Sequence, residues 1–81
     1  MNESEVRVVL ADVLAGVAPE VDLSAVSGGA ILREELDLDS MDLLTVYTSL
    51  CERLRIEIPE ADYPQLATLD GLLAYVGKRA R

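Results

Sequence analysis

Five acids, Glu34, Glu35, Asp37, Asp39 and Asp42, fall within nine residues, with no basic residue among them and one serine, Ser40, in their midst. Clustered carboxylates suggest a solvated acidic surface, a cation loop, or a docking surface built around the serine. A calcium loop of the EF-hand kind wants oxygen donors at alternating early positions, a glycine at the sharp turn and a closing glutamate. A register starting at Asp37 puts Met41 at the third donor, Asp42 at the glycine and Thr48 at the glutamate, so the calcium reading is set aside. Ser40 stands where a loop meets a helix start. It suits a helix cap, or a site modified by another enzyme, because a helix N-terminus is exposed and its free N–H groups favour an attached phosphate. As a nucleophile of its own it lacks a base, since the chain has no histidine.

The absence of histidine also removes Ser-His-Asp and Cys-His arrangements and the usual zinc ligand sets. The single cysteine, Cys51, excludes an internal disulfide and any CxxC site. It falls on the apolar side of its helix, where a free thiol acts as a small hydrophobe. With 15 acidic and 7 basic residues the net charge is −8. That argues against the phosphate backbone of nucleic acid and against an anionic membrane surface, and it favours partners with basic patches. A hydrophobic fraction of 51% is too high for a disordered acidic tail. No apolar run is long enough to span a membrane, and the acidic, polar start MNESEV does not read as a signal peptide. The expected compartment is the cytoplasm. The 81 residues suit one small domain spanning 1–81.

The elements that must position Ser40 read as helices. From Asn2 to Val17 the apolar residues Val6, Val9, Leu10, Val13, Leu14 and Val17 recur at helical spacing. Asn2 with Glu5 resembles a capping box, and Gly16 and Pro19 close the segment. A long connection follows, from Ala18 to Asp39. It is rich in turn formers but also holds Val21, Leu23, Val26, Ile31, Leu32, Leu36 and Leu38, which want burial; a helical turn near 30–35 fits within it. The next helix starts at Asp39 or Ser40, with Leu43, Leu44, Tyr47, Leu50, Cys51 and Leu54 inward, acids in its first turn, Arg53 and Arg55 in its last, and Pro59 beyond it. Ala61 to Leu66 reads as a short turn interrupted by Pro64. Thr68 caps a final helix with Leu69, Leu72, Leu73 and Val76 inward and Lys78, Arg79 and Arg81 at its basic end. No segment alternates long enough for a strand. The chain reads as all-α.

Asp39-Ser40-Met41-Asp42 resembles the Asp-Ser-Leu motif of acyl carrier proteins. The resemblance continues without a gap from Asp37 to Val76, through Glu57-Ile58-Pro59, Thr68 and Tyr75-Val76, and the first helix, long loop, size and acidity agree. It implies a small four-helix, mostly antiparallel bundle with a long first loop. It implies a carrier that is the substrate of partner enzymes and not an enzyme. In that family a phosphopantetheinyl transferase directs the serine hydroxyl onto the β-phosphate of coenzyme A, leaving 4'-phosphopantetheine as a phosphodiester whose thiol holds an acyl group as a thioester. By similarity Ser40 is the attachment point. Asp39, Met41, Asp42 and Glu52 match positions that meet basic or apolar surfaces of acyl-transferring or acyl-activating enzymes. The carrier is expected to be monomeric and free-standing, with roles in fatty acid, polyketide or other lipid metabolism.

The chain departs from typical fatty-acid carriers at Thr45, Cys51 and Arg53, where acids are usual, and at Tyr47, where a smaller aliphatic residue is usual. These departures point to a dedicated lipid or secondary-metabolite pathway. Leu44, Tyr47, Leu50, Ile58, Leu66, Leu73 and Tyr75 line either a pocket for a short acyl chain or an ordinary core, the core being the default for stripes at helical spacing. Two other functions remain open on the sequence: an aminoacyl or peptidyl carrier of a non-ribosomal pathway, and a small acidic interaction module in which Ser40 is a cap and no prosthetic group is carried.

Overall fold

The computed structural model describes residues 1–80. Its first helix, α1 (Glu3–Ala15), opens with the capping box that Asn2 and Glu5 predict: Glu5 N–H donates to Asn2 Oδ1 at 2.9 Å and Asn2 N–H to Glu5 Oε1 at 3.1 Å. Val6, Leu10, Val13 and Leu14 form its buried stripe. The helix stops two residues before Val17, because the N–H groups of Gly16, Val17 and Ala18 fold back onto the carbonyls of Val13 and Leu14.

The long connection is packed by its own apolar side chains. A 3₁₀ turn at Leu23–Ala25 is capped by Asp22, and a single helical turn, α2 (Leu32–Glu35), follows. Leu23, Leu32 and Leu38 are buried and Val21, Val26 and Leu36 half-buried. The middle of the connection is stitched to the start of the last helix. Leu32 N–H donates to Ala67 O at 2.9 Å and Asp70 N–H to Gly28 O at 2.8 Å. Ile31 and Thr68 form an isolated antiparallel bridge. No strand forms among the described residues.

Helix α3 (Ser40–Leu54) packs on α1, and α4 (Leu69–Arg79) packs on α1 from another side. Between them a seven-residue 3₁₀ helix, Glu60–Leu66, lies against α4 and accommodates Pro64, since its shorter hydrogen-bond ladder asks less of the backbone. Thr68 caps α4 as expected, its Oγ1 accepting from Gly71 N–H at 3.0 Å. The architecture is therefore the small helical bundle with a long first loop that the sequence implied.

Two details of α3 differ from expectation. Val46 joins Tyr47 and Leu50 in the core, whereas Leu44 stays 43% exposed. Those two residues are about 200° apart around the helix, so only one of them can face inward, and the stripe centred on Leu50 selects Val46. Leu43, Cys51 and Leu54 are half-buried at its margins. Arg55 is not in the last turn: it follows the helix in a left-handed conformation, φ 54° and ψ 48°, which lets its N–H and that of Ile56 close on Cys51 O. Arg81 lies outside the described residues, so the basic end seen is Lys78 and Arg79. Among the described residues no helix is long and apolar enough to cross a membrane.

Candidate functional site

Leu38 anchors the turn before α3 in the core, and Asp37 turns the chain just ahead of it with a positive φ of 52°. Asp tolerates this region because its short side chain can bond locally. Asp39 then caps α3 twice over. Its carboxylate accepts from Asp42 N–H at 2.8 Å and its carbonyl from Leu43 N–H at 3.0 Å. The cap is thus Asp39 and not Ser40, which is the first helical residue. Ser40 is exposed, and its hydroxyl has no hydrogen-bond partner among the described residues. The N–H groups of Ser40 and Met41 also lack partners there.

This arrangement does not activate a nucleophile. Among the described residues no base touches the Ser40 hydroxyl. Two unpaired N–H groups and the positive end of a 15-residue helix flank the hydroxyl, an arrangement that favours negative charge there. Among the described residues no group of three or more acids and cysteine is placed to hold a metal ion.

The expected partner-contacting residues are only partly brought together. Met41, 70% exposed, and Glu52, exposed, share one outward stripe with Thr45 and Thr48. Eleven residues advance three turns plus about 20°. Asp42 is half-buried and lies about 100° away, and Asp39 is spent on the cap. The outward stripe is therefore neutral over its first two turns. Arg53 pairs with Asp12 of α1, so that positive charge faces the bundle's own flank.

Of the set weighed as acyl pocket or ordinary core, Leu50, Leu66, Leu73, Tyr47 and Tyr75 are buried, Ile58 is half-buried, and Leu44 is exposed. A surface concavity of about 540 Å³ between the Glu60–Leu66 helix and α4 is lined by other residues as well, among them Asp62, Gln65, Lys78 and Arg79. Sequence reasoning missed the polar cluster at its edge. Tyr75 donates its hydroxyl to Asp62 Oδ2 at 2.6 Å, Arg79 donates to the same oxygen at 3.3 Å, and the Arg79 guanidinium lies 4.5 Å from the Tyr75 ring centroid. The spacing of Tyr75 and Arg79, one turn apart, was the available signal. Burial, then the Asp62 hydrogen bond, hold the Tyr75 phenol above its usual pKa, and the Arg79 charge opposes them.

A family model described as a phosphopantetheine attachment site matches residues 4–76. The acyl carrier protein of Chlamydia trachomatis serovar D is 35% identical over 80 residues, covering 95% of this chain and 94% of that protein. That of Campylobacter jejuni subsp. doylei is 31% identical over 67 residues, covering 80% and 87%. A mitochondrial acyl carrier protein of Neurospora crassa is 30% identical over 76 residues, covering 94% of this chain and 57% of its own length. The chain belongs to the acyl carrier protein family. Its prosthetic group is accordingly covalent 4'-phosphopantetheine. The start of α3 fits that group in a carrier of this kind: an exposed, unengaged hydroxyl offers the ester oxygen, and the neighbouring free N–H groups meet the charge of a phosphodiester.

Proposed function

We propose that this acyl carrier protein holds acyl intermediates as thioesters on 4'-phosphopantetheine attached to Ser40, and that it serves a dedicated lipid or secondary-metabolite pathway. The observation that carries the reading is Ser40 itself, an exposed hydroxyl without a partner at the first position of α3, with unpaired N–H groups beside it. When attached, the group supplies a terminal thiol for the acyl chain. The protein's own residues present and orient it: Asp39 fixes the helix start, and Leu38 pins that start to the core. The chain acts as a substrate of its partners and not as a catalyst, since no base addresses Ser40.

The partners are a phosphopantetheinyl transferase and acyl-transferring or acyl-activating enzymes with basic docking patches. The net charge of −8 steers such partners from a distance. Contact at α3 itself is through Met41, Leu44 and a neutral stripe, with Glu52 two to three turns on, and this departure from an acidic helix supports a dedicated set of enzymes. We take the carrier to be a monomer of the cytoplasm.

Incubation with coenzyme A and a promiscuous phosphopantetheinyl transferase tests the reading. The wild type gains the mass of one phosphopantetheine group and Ser40→Ala gains none. A folded wild type left unmodified by several transferases overturns it. A housekeeping ketosynthase that handles this carrier as efficiently as its own overturns the dedicated pathway.

A further inference from the structure

Arg33 is the one base between Arg7 and Arg53, and the five acids Glu34, Glu35, Asp37, Asp39 and Asp42 follow it directly. It is exposed, on the single turn α2. Arg7, Arg53 and Arg79 each pair with a carboxylate. Arg33 pairs with none among the described residues, for all the acids that follow it. A concavity of about 530 Å³ opens beside it, lined by Ile31, Arg33, Glu34, Asp37 and Leu38. Ile31 is 47% exposed there, and Leu38 is buried. The concavity adjoins the turn that delivers Ser40. Leu38 N–H donates to Arg33 O at 3.0 Å, which ties α2 to that turn. Ser40 follows Leu38 by two residues, so their Cα atoms lie within about 8 Å of each other.

We infer that Arg33 holds the phosphodiester of the arm, and that the concavity beside it receives the arm's first, branched segment. The inference rests on attachment at Ser40 and deepens it by naming the residues that orient the arm. The ester leaves one negative charge on a phosphate set among five carboxylates. The free N–H groups of Ser40 and Met41 meet part of that charge. Arg33 is the cation of this segment that meets the rest. A guanidinium offers its N–H groups as a planar fork that matches two phosphate oxygens, and an unpaired one gives up no ion pair to do so. Beyond the phosphate the arm carries two methyl groups on one carbon, then a hydroxyl and an amide. Ile31 and Leu38 offer the methyl groups apolar surface in the same concavity. The base of the arm is thereby oriented toward α2, and the remainder with its thiol stays free to move.

The test compares the apo and holo forms of the full chain, labelled with nitrogen-15 and carbon-13, by solution NMR. Intact mass first confirms that the arm is attached. In the wild type, attachment shifts the Arg33 Nε–H signal and the amides of Ile31 and Leu38, and the arm's methyl groups show contacts with those of Ile31 and Leu38. In Arg33→Gln, a change at an exposed position, the shifts at Ile31 and Leu38 fall about threefold, the factor that one exposed charge pair gives. Arg33→Lys keeps the charge without the fork and restores part of them. Shifts confined to Ser40 and the residues after it overturn the inference. So do shifts at Ile31 and Leu38 that are unchanged in Arg33→Gln. An Arg33 signal that stays in place on attachment and moves only when the transferase is added also overturns it, and gives the base to a partner. A protein that takes up no arm shows it in the mass before any spectrum and overturns the carrier reading together with this one.

Discussion

Asp39 and Ser40 divide the work at one turn of chain. Asp39 spends its carboxylate and its carbonyl on the helix start, which leaves the Ser40 hydroxyl free. Replacing the carboxylate removes the acceptor of the Asp42 N–H. Asp39→Ala is expected to lower unfolding free energy by about 1 kcal/mol, and Asp39→Asn, which keeps an acceptor, to stay within a few tenths. Urea denaturation of the three proteins checks this, and equal losses in both variants would mean that the charge and not the cap matters. At this scale much of the site was legible. A short polar residue ahead of a helix with acids in its first turn has few other uses. Which of the two neighbours capped was not, because Asp and Ser cap equally well and only the backbone register separates them.

At the scale of elements, the caps and stripes of α1 and α4 were readable because their signals are local: Asn2 with Glu5, Thr68 before Leu69, and apolar residues at helical spacing. The inward turn of α3 was less so, since Leu44 and Val46 are both apolar and only the stripe centred on Leu50 separates them. The stitching of the long connection to α4 through Leu32 and Ala67, or Gly28 and Asp70, leaves no local pattern at all. Gly71 belongs to that junction. A Cβ there meets the Gln65 carbonyl oxygen and comes within 3.0 Å of the Thr68 cap oxygen. A backbone carbonyl cannot swing aside, so overpacking of about 1–3 kcal/mol outweighs the roughly 1 kcal/mol of added helix propensity. Gly71→Ala is expected to lower the unfolding midpoint. Gly29→Ala, whose Cβ meets nothing within 4 Å, should hold or raise it.

The Glu60–Leu66 helix is held to its neighbours by tyrosines, and this gives the fold an alkaline limit. Burial and then the neighbouring Tyr63 raise the Tyr47 phenol above its ordinary value of 10.0, and burial with the Asp62 bond raises Tyr75. A phenol whose pKa is raised on folding stabilises the folded state fully below pH 10. That contribution is lost as pH climbs through the folded value. Stability measured by urea should therefore fall above pH 10 while absorbance near 295 nm reports delayed ionisation. Tyr47→Phe should fall less steeply; a stability flat across that window would contradict the assignment.

Over the whole molecule the charge is one-sided. Fifteen acids against seven bases leave −8 on 81 residues, and the ion pairs seen, such as Arg7 with Glu3 and Arg53 with Asp12, lie at the surface where each contributes little. Self-repulsion should make the fold more stable as salt rises from low concentration, and the midpoint of thermal unfolding in a sodium chloride series checks the sign. In the proposed role, the same field would steer basic enzymes toward the carrier, and the neutral stripe of Met41, Thr45 and Thr48 would make the final contact.

The central claim is that one serine of five carries the arm. Tandem mass spectrometry on peptides of the modified protein tests it most directly, because the arm marks the residue that holds it. The structure predicts the group on the peptide containing Ser40. Its presence on a peptide containing Ser4, Ser24, Ser27 or Ser49 instead would contradict the claim, and with it the role given to the start of α3.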